Sequence, residues 1–153
     1  MNAYGWLKFL HVLSVIVWLG GITALAVVTW RVARERNRAA LVVLLQQSTT
    51  FGQWIVGPAS GVVLLTGLAM VGLGHIGFGS FWVLWGYGGI AVHGFAGGVF
   101  LRKRVASLSQ IAAATPGDDV ALINAARALW TTQLVYLLLL ATVVATMILK
   151  PTL

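Results

Sequence analysis

The chain of 153 residues has no cysteine. That absence removes disulfides, iron–sulfur clusters, thiolate zinc sites, cysteine nucleophiles and covalent c-type haem attachment together. Acidic residues are nearly missing as well: Glu35, Asp118 and Asp119 are the only three. None lies in an apolar run, so neither hydrolysis by paired carboxylates nor a proton path of the Asp/Glu kind is expected. Charge of either sign is scarce, at 8% of residues, where a soluble domain carries about 25%. A chain this poor in charge does not cover a water-facing surface, and it reads as a membrane protein.

What is abundant is apolar. Hydrophobic residues make up 59% of the chain, and the mean hydropathy is +0.94. About 20 apolar residues cross a bilayer core. Four segments reach that length, at about residues 4–30, 51–74, 81–101 and 130–149. The expected fold is all-α: an integral membrane four-helix bundle forming a single transmembrane domain over residues 1–153. Trp6 and Trp30 bracket the first segment as interfacial anchors. The run from Phe9 to Trp30 is too long for a signal-peptide core and ends in arginines, so it reads as a retained membrane helix. Pro58 falls in the first two turns of the second segment, where a missing N–H is tolerated or produces a modest kink. Phe81, Trp82 and Trp85 open the third, and Lys150-Pro151 closes the fourth.

The connections differ in character. Between the first two segments lies a basic run from Arg31 to Arg38, then residues 39–45, then Gln46-Gln47-Ser48-Thr49-Thr50. Helix is expected to continue through much of it. A short Gly-rich loop, His75 to Ser80, joins the second and third segments. After the third come Arg102-Lys103-Arg104, an amphipathic piece to Ala114, and a turn at Pro116-Gly117. Asp118 or Asp119 is a reasonable N-cap for a short helix leading into Trp130.

The net charge is +7 and the pI about 11.0. Here the position of the charges says more than their sum. Eight of the ten Lys and Arg residues fall in the first and third connections, and only Lys8 and Lys150 lie at the opposite ends. The positive-inside rule places both long connections in the cytoplasm and both termini outside. The basic clusters read as topology signals and as contacts to anionic lipid. No nucleic-acid module is present. The expected location is the bacterial inner (cytoplasmic) membrane, multi-pass.

With that topology the three histidines lie in the outer half or near mid-membrane. His11 sits roughly 10 Å in from the outer end of the first helix and His93 roughly 18 Å in from the outer end of the third, at 1.5 Å per residue. His75 sits at the end of the second helix or in the outer loop, where a solvated or headgroup-level role is expected. Ionisable residues inside a membrane are functional-site candidates. Gly86, Gly89, His93 and Gly97 recur at three- and four-residue spacing and share one helix face. Lys8, His11 and Trp18 form a stripe on the first helix. A histidine flanked by small residues, facing a histidine on another helix, is how a membrane bundle holds b-type haem. The plain alternative is that the glycines are close-packing surfaces and the histidines bond a neighbouring carbonyl or hydroxyl.

The same residues admit a metal-transport reading. His11, His75, Met70 and Met147 could gather near one depth, and thioether with imidazole suits Cu(I). The run Gly72-Leu73-Gly74-His75-Ile76-Gly77 matches G-x-G-x-x-G by chance, since no strand precedes it.

Lys8-Phe9-Leu10-His11-Val12-Leu13, followed by Trp18-Leu19-Gly20-Gly21, resembles the opening helix of the CopD/HemJ-like bacterial membrane proteins. These include copper-resistance D domains, HemJ-type protoporphyrinogen oxidases and a four-helix family of unassigned function. The layout is most similar to the last, through the first-helix Lys-x-x-His, Gly57-Pro58, the Trp-rich start of the third helix and the basic run after it. In HemJ-type proteins the first-helix histidine is implicated in haem b ligation, so the resemblance implies that role for His11. The Arg-containing extension of those enzymes has only a loose counterpart in Arg31, and their oxidase activity is not carried over.

The leading expectation is therefore a haem b-binding, cytochrome b-like membrane protein with an electron-transfer or haem-dependent redox role near the outer leaflet. His11 is one axial ligand, His93 the second, and Met70 or His75 stands in reserve. Gly86, Gly89, Gly97 and Trp18 surround the cofactor. No catalytic residue is assigned. The expected partners are the lipid bilayer, a membrane or periplasmic redox partner and other subunits of a homo- or hetero-oligomer. The alternatives are a non-catalytic subunit or assembly factor of a membrane complex, and a copper permease.

Overall fold

The computed structural model describes residues 2–114 and 119–151, and among these every regular element is helical. Helix α1 runs Ala3–Glu35 and α2 runs Arg38–Phe51. One π turn, Gly52–Val56, joins α2 to α3, Gly57–Leu73. Helix α4 spans Phe81–Phe95, and a second π turn, Ala96–Leu101, leads into α5, Arg102–Ala114. Helix α6 spans Asp119–Leu149.

Local chemistry explains the breaks. Asn2 caps α1 by accepting the Gly5 N–H at 3.0 Å. Asn37 caps α2 in the same way, accepting from the Ala40 N–H at 3.0 Å. Between them Arg36 takes φ 53°, the left-handed geometry that ends a helix. The basic connection is thus helical on both sides of a two-residue reversal. Pro58 cannot donate to the carbonyl four residues back, and its ring presses on that carbonyl. The helix widens just before it, and the Gly57 N–H bonds the Gly52 carbonyl instead. Helix therefore runs on from Arg38 to Leu73 rather than starting near Phe51.

The last helix differs from expectation in a similar way. The short helix foreseen ahead of Trp130 is continuous with the segment after it, in one helix of 31 residues. Pro116-Gly117 and Asp118 lie outside the described residues.

Among the described residues three helices are long and apolar enough to cross a membrane: Ala3–Glu35, Arg38–Leu73 and Val120–Leu149. Helix α1 packs against α3 on one side and α6 on the other, and α4 packs on α6. Contact between α3 and α4 is sparse. Two apolar cores result. Trp18, Ile22, Ala59, Val63 and Leu140 fill the middle of the bundle. Leu41, Leu45, Leu108, Leu122 and Leu129, with Ala33, Val105 and Ala126, fill the end where α2, α5 and the start of α6 converge. Large apolar side chains such as Trp6, Ile16, Trp54, Leu65, Leu138 and Ile148 point outward. A water-soluble protein would bury such a set; a bilayer solvates it.

Candidate functional site

The sparse α3–α4 seam leaves two cavities, each of about 350 Å³, at different levels of the bundle. The one nearer the two chain ends, here termed the outer cavity, is bounded by α1, α3, α4 and the end of α6, and its lining includes His11, Met70 and Met147. The inner one lies where both π turns reach the bundle interior, and its lining includes His93, Gln133 and Tyr136.

In the outer cavity the His11 ring lies against Gly67, at ordinary contact distance from where a side chain would begin. His11 Nδ1 is 2.9 Å from the Thr66 hydroxyl. Thr66 already donates its single proton to the Val62 carbonyl at 2.6 Å, with the Val63 carbonyl at 3.2 Å. The hydroxyl must therefore accept from His11, so the His11 proton is on Nδ1 and its Nε2 lone pair is free of that bond. Tyr87 lines the same space, and its hydroxyl is buried without a hydrogen-bond partner. Lys8 and Lys150 stand at its rim, the latter with Nζ 5.3 Å from the Trp82 ring centroid.

In the inner cavity Trp18 donates its indole N–H to His93 Nε2 at 3.2 Å. Indole is a donor only, so His93 keeps its proton on Nδ1. That Nδ1 is buried and has no partner, and neither does Gln133 Oε1. Tyr136 stands edge-on to His93, with centroids 5.6 Å apart.

The structure thus brings His11 together with Met70, Met147 and Gly86, and His93 together with Gly97. It does not bring His11 and His93 into one cavity. Trp18 lies between the levels, 3% exposed and bonded to His93. Gly89 lines neither space and seats Val143 of α6. His75 is exposed in the turn after α3, with φ 51°. Among the described residues no group of three His, Cys, Asp or Glu converges.

Three participants escaped the sequence reading. Thr66, Tyr87 and Gln133 each carry a polar group inside an apolar segment. The reasoning that singled out the histidines would have found Gln133, the only amide side chain in the last apolar segment.

Residues 5–151 match the family described as "Predicted integral membrane protein (DUF2269)". The chain belongs to that family. No curated protein and no solved structure matches it.

Proposed function

We propose that the outer cavity is a haem b site and that the protein serves electron transfer near the outer face of a bacterial inner membrane. The observation that carries this reading is the His11–Thr66 bond. A metal-binding imidazole characteristically donates its other N–H to a fixed acceptor, which sets both tautomer and ring orientation. Thr66 is that acceptor, and its own proton is committed to the backbone.

Several residues around the cavity support the reading. The walls are largely apolar, and Met70 and Met147 line the same space as His11, so either would be the source of a thioether ligand. Lys8 and Lys150 supply two cations at the rim for two propionates. A haem held by His11 and one of these methionines would supply one-electron chemistry at a raised potential. His93 is not the second ligand in this reading, because its Nε2 is taken by Trp18 and it lines the other cavity.

The reading keeps the four-span topology with both termini outside. Support comes from the helix that starts at Phe81 and carries its basic residues only beyond Leu101, and from the eight-to-two division of Lys and Arg. The first-helix likeness to HemJ-type proteins points the same way. A second reading shares the cavity: His11, Met70 and Met147 together suit Cu(I), as in a copper permease.

One preparation separates the two. Protein purified from haem-replete cells should show a Soret band and a reduced α band, both lost in His11→Ala. A colourless protein holding stoichiometric copper would replace the haem reading with the copper one, and a colourless protein without copper would end both.

A further inference from the structure

The inner cavity is separate from the haem reading and has its own shape. Two helical stretches form much of its wall, from Ser48 to Ser60 across the α2–α3 junction and from His93 to Val105 across the α4–α5 junction. Each is roughly 18 Å long at 1.5 Å per residue. The two run in opposite directions away from the loop at His75 to Ser80, so Ser60 stands near the level of His93 and Ser48 near the level of Val105. One leaflet of a bilayer is about 15 Å of hydrocarbon deep, half of the core. Under the four-span topology proposed above, the cavity runs the depth of the cytoplasmic leaflet, from mid-membrane to the basic end.

The cavity opens to the side. Gln53, Gly57 and Gly94 line it and are exposed, where α3 and α4 barely touch. A side chain added at Gly52, Gly94 or Gly97 would meet nothing within 4 Å, so the space beside these glycines is open. The lining is mainly apolar and holds no Lys, Arg, Asp or Glu, and about 350 Å³ is the size of a small-molecule site. Charge enters only at the basic end. Arg104 directly precedes Val105 of the wall and donates to the Ala128 carbonyl of α6 at 3.3 Å. Its charge also acts on Tyr136, which lines the cavity. Lys103 precedes Arg104, Arg127 precedes Ala128, and all three cations are exposed. Among the described residues no carboxylate pairs with any of them.

We propose that the inner cavity binds one anionic phospholipid, with an acyl chain along the cavity and the phosphate at Arg104. The ligand is a lipid because the space is apolar, leaflet-deep and open sideways. It is anionic because the cations at its end have no acid of their own. Basic pockets between membrane helices on the cytoplasmic side suit such head groups. A zwitterionic lipid brings the same chains and phosphate but also a cation, which Lys103, Arg104 and Arg127 repel.

The test is native mass spectrometry of the full chain in detergent, titrated with dioleoylphosphatidylglycerol or dioleoylphosphatidylcholine. The expected result is one phosphatidylglycerol per chain, bound several-fold tighter than phosphatidylcholine. Arg104→Gln keeps an amide donor but loses the charge. It should weaken phosphatidylglycerol about tenfold, the size of one hydrogen bond to a charged group, and leave phosphatidylcholine within about twofold. Gly97→Leu and Gly52→Leu fill the open space from opposite walls without altering charge, and each should weaken both lipids at least tenfold. Arg34→Gln removes a cation outside the cavity and should change neither. Equal binding of the two lipids would overturn the proposal, as would an Arg34→Gln loss as large as that of Arg104→Gln. So would unchanged binding in both glycine variants, or displacement of the lipid by excess glycerol 3-phosphate, which would mark a site for soluble phosphate. The titration depends on neither haem nor the number of spans, so it can fail while those readings hold, and His11→Ala should bind phosphatidylglycerol as the unaltered chain does.

Discussion

The indole N–H of Trp18 donates to Nε2 of His93 at 3.2 Å, and the two rings meet edge to face with centroids 4.8 Å apart. This contact joins α1 to α4 and separates the levels of the two cavities. Trp18→Phe keeps an aromatic ring but removes the donor, leaving both nitrogens of a largely buried imidazole unpaired. The expected loss is about 1–3 kcal/mol, seen as a lower thermal midpoint in detergent. In a His93→Phe background the same change should cost much less, since the partner is already gone. A double-mutant cycle reads this as coupling, and strictly additive losses would show that the bond contributes nothing.

Thr66 tests the outer site without touching the ligand itself. Thr66→Val retains shape and removes the acceptor for His11 Nδ1–H. Under the haem reading, the imidazole loses its fixed orientation and haem affinity falls about 10–100-fold, the usual effect of an outer-shell partner. Titrating haem into the apoprotein and following the Soret band measures this. Thr66→Ser should restore binding, because the hydroxyl returns.

The glycines of α4 divide by what faces them. An added methyl at Gly89 would run into the branched Val143 side chain of α6, which is stiff and 7% exposed. At Gly86 it would meet the terminal methyl of Met147, the far end of a flexible chain. Gly89→Ala should therefore destabilise the fold by about 1–3 kcal/mol, and Gly86→Ala by distinctly less. Thermal unfolding of the two variants side by side decides it; equal losses would mean that α4 and α6 give way as rigid bodies.

These glycines also show what the sequence could and could not say. Their shared face with His93 was predicted from spacing; α4 carries Gly86, Gly89 and His93, and Gly97 falls in the π turn after it. What the spacing could not reveal is that the face meets three different neighbours along its length. Gly86 opens on the outer cavity, Gly89 closes against α6, and Gly97 borders the inner cavity. Periodicity places residues on a face but is silent about which helix lies opposite. His11 was recognised because a lone imidazole in hydrocarbon demands a partner. The identity of that partner depended on the α1–α3 register, which no local pattern encodes. The π turn before Pro58 was likewise invisible, because proline alone predicts a kink or a start and the Gly57–Gly52 bond resolves it otherwise.

The absence of cysteine makes the orientation directly measurable. Each introduced thiol is the only one in the chain, so labelling reports a single position. Lys150 follows α6, and Arg36 stands in the reversal between α1 and α2, both exposed. With eight of ten Lys and Arg residues on the Arg36 side, the positive-inside rule puts Arg36 in the cytoplasm and Lys150 outside. Lys150→Cys should react with a membrane-impermeant maleimide on intact spheroplasts, and Arg36→Cys only after lysis. Asn2→Cys should behave as Lys150→Cys does, since an even number of spans returns the chain to the face it left. Labelling of Asn2→Cys and Lys150→Cys on opposite faces would leave an odd number of spans and remove the helix beginning at Phe81 from the membrane. The sparse seam between α3 and α4 would then face water rather than lipid.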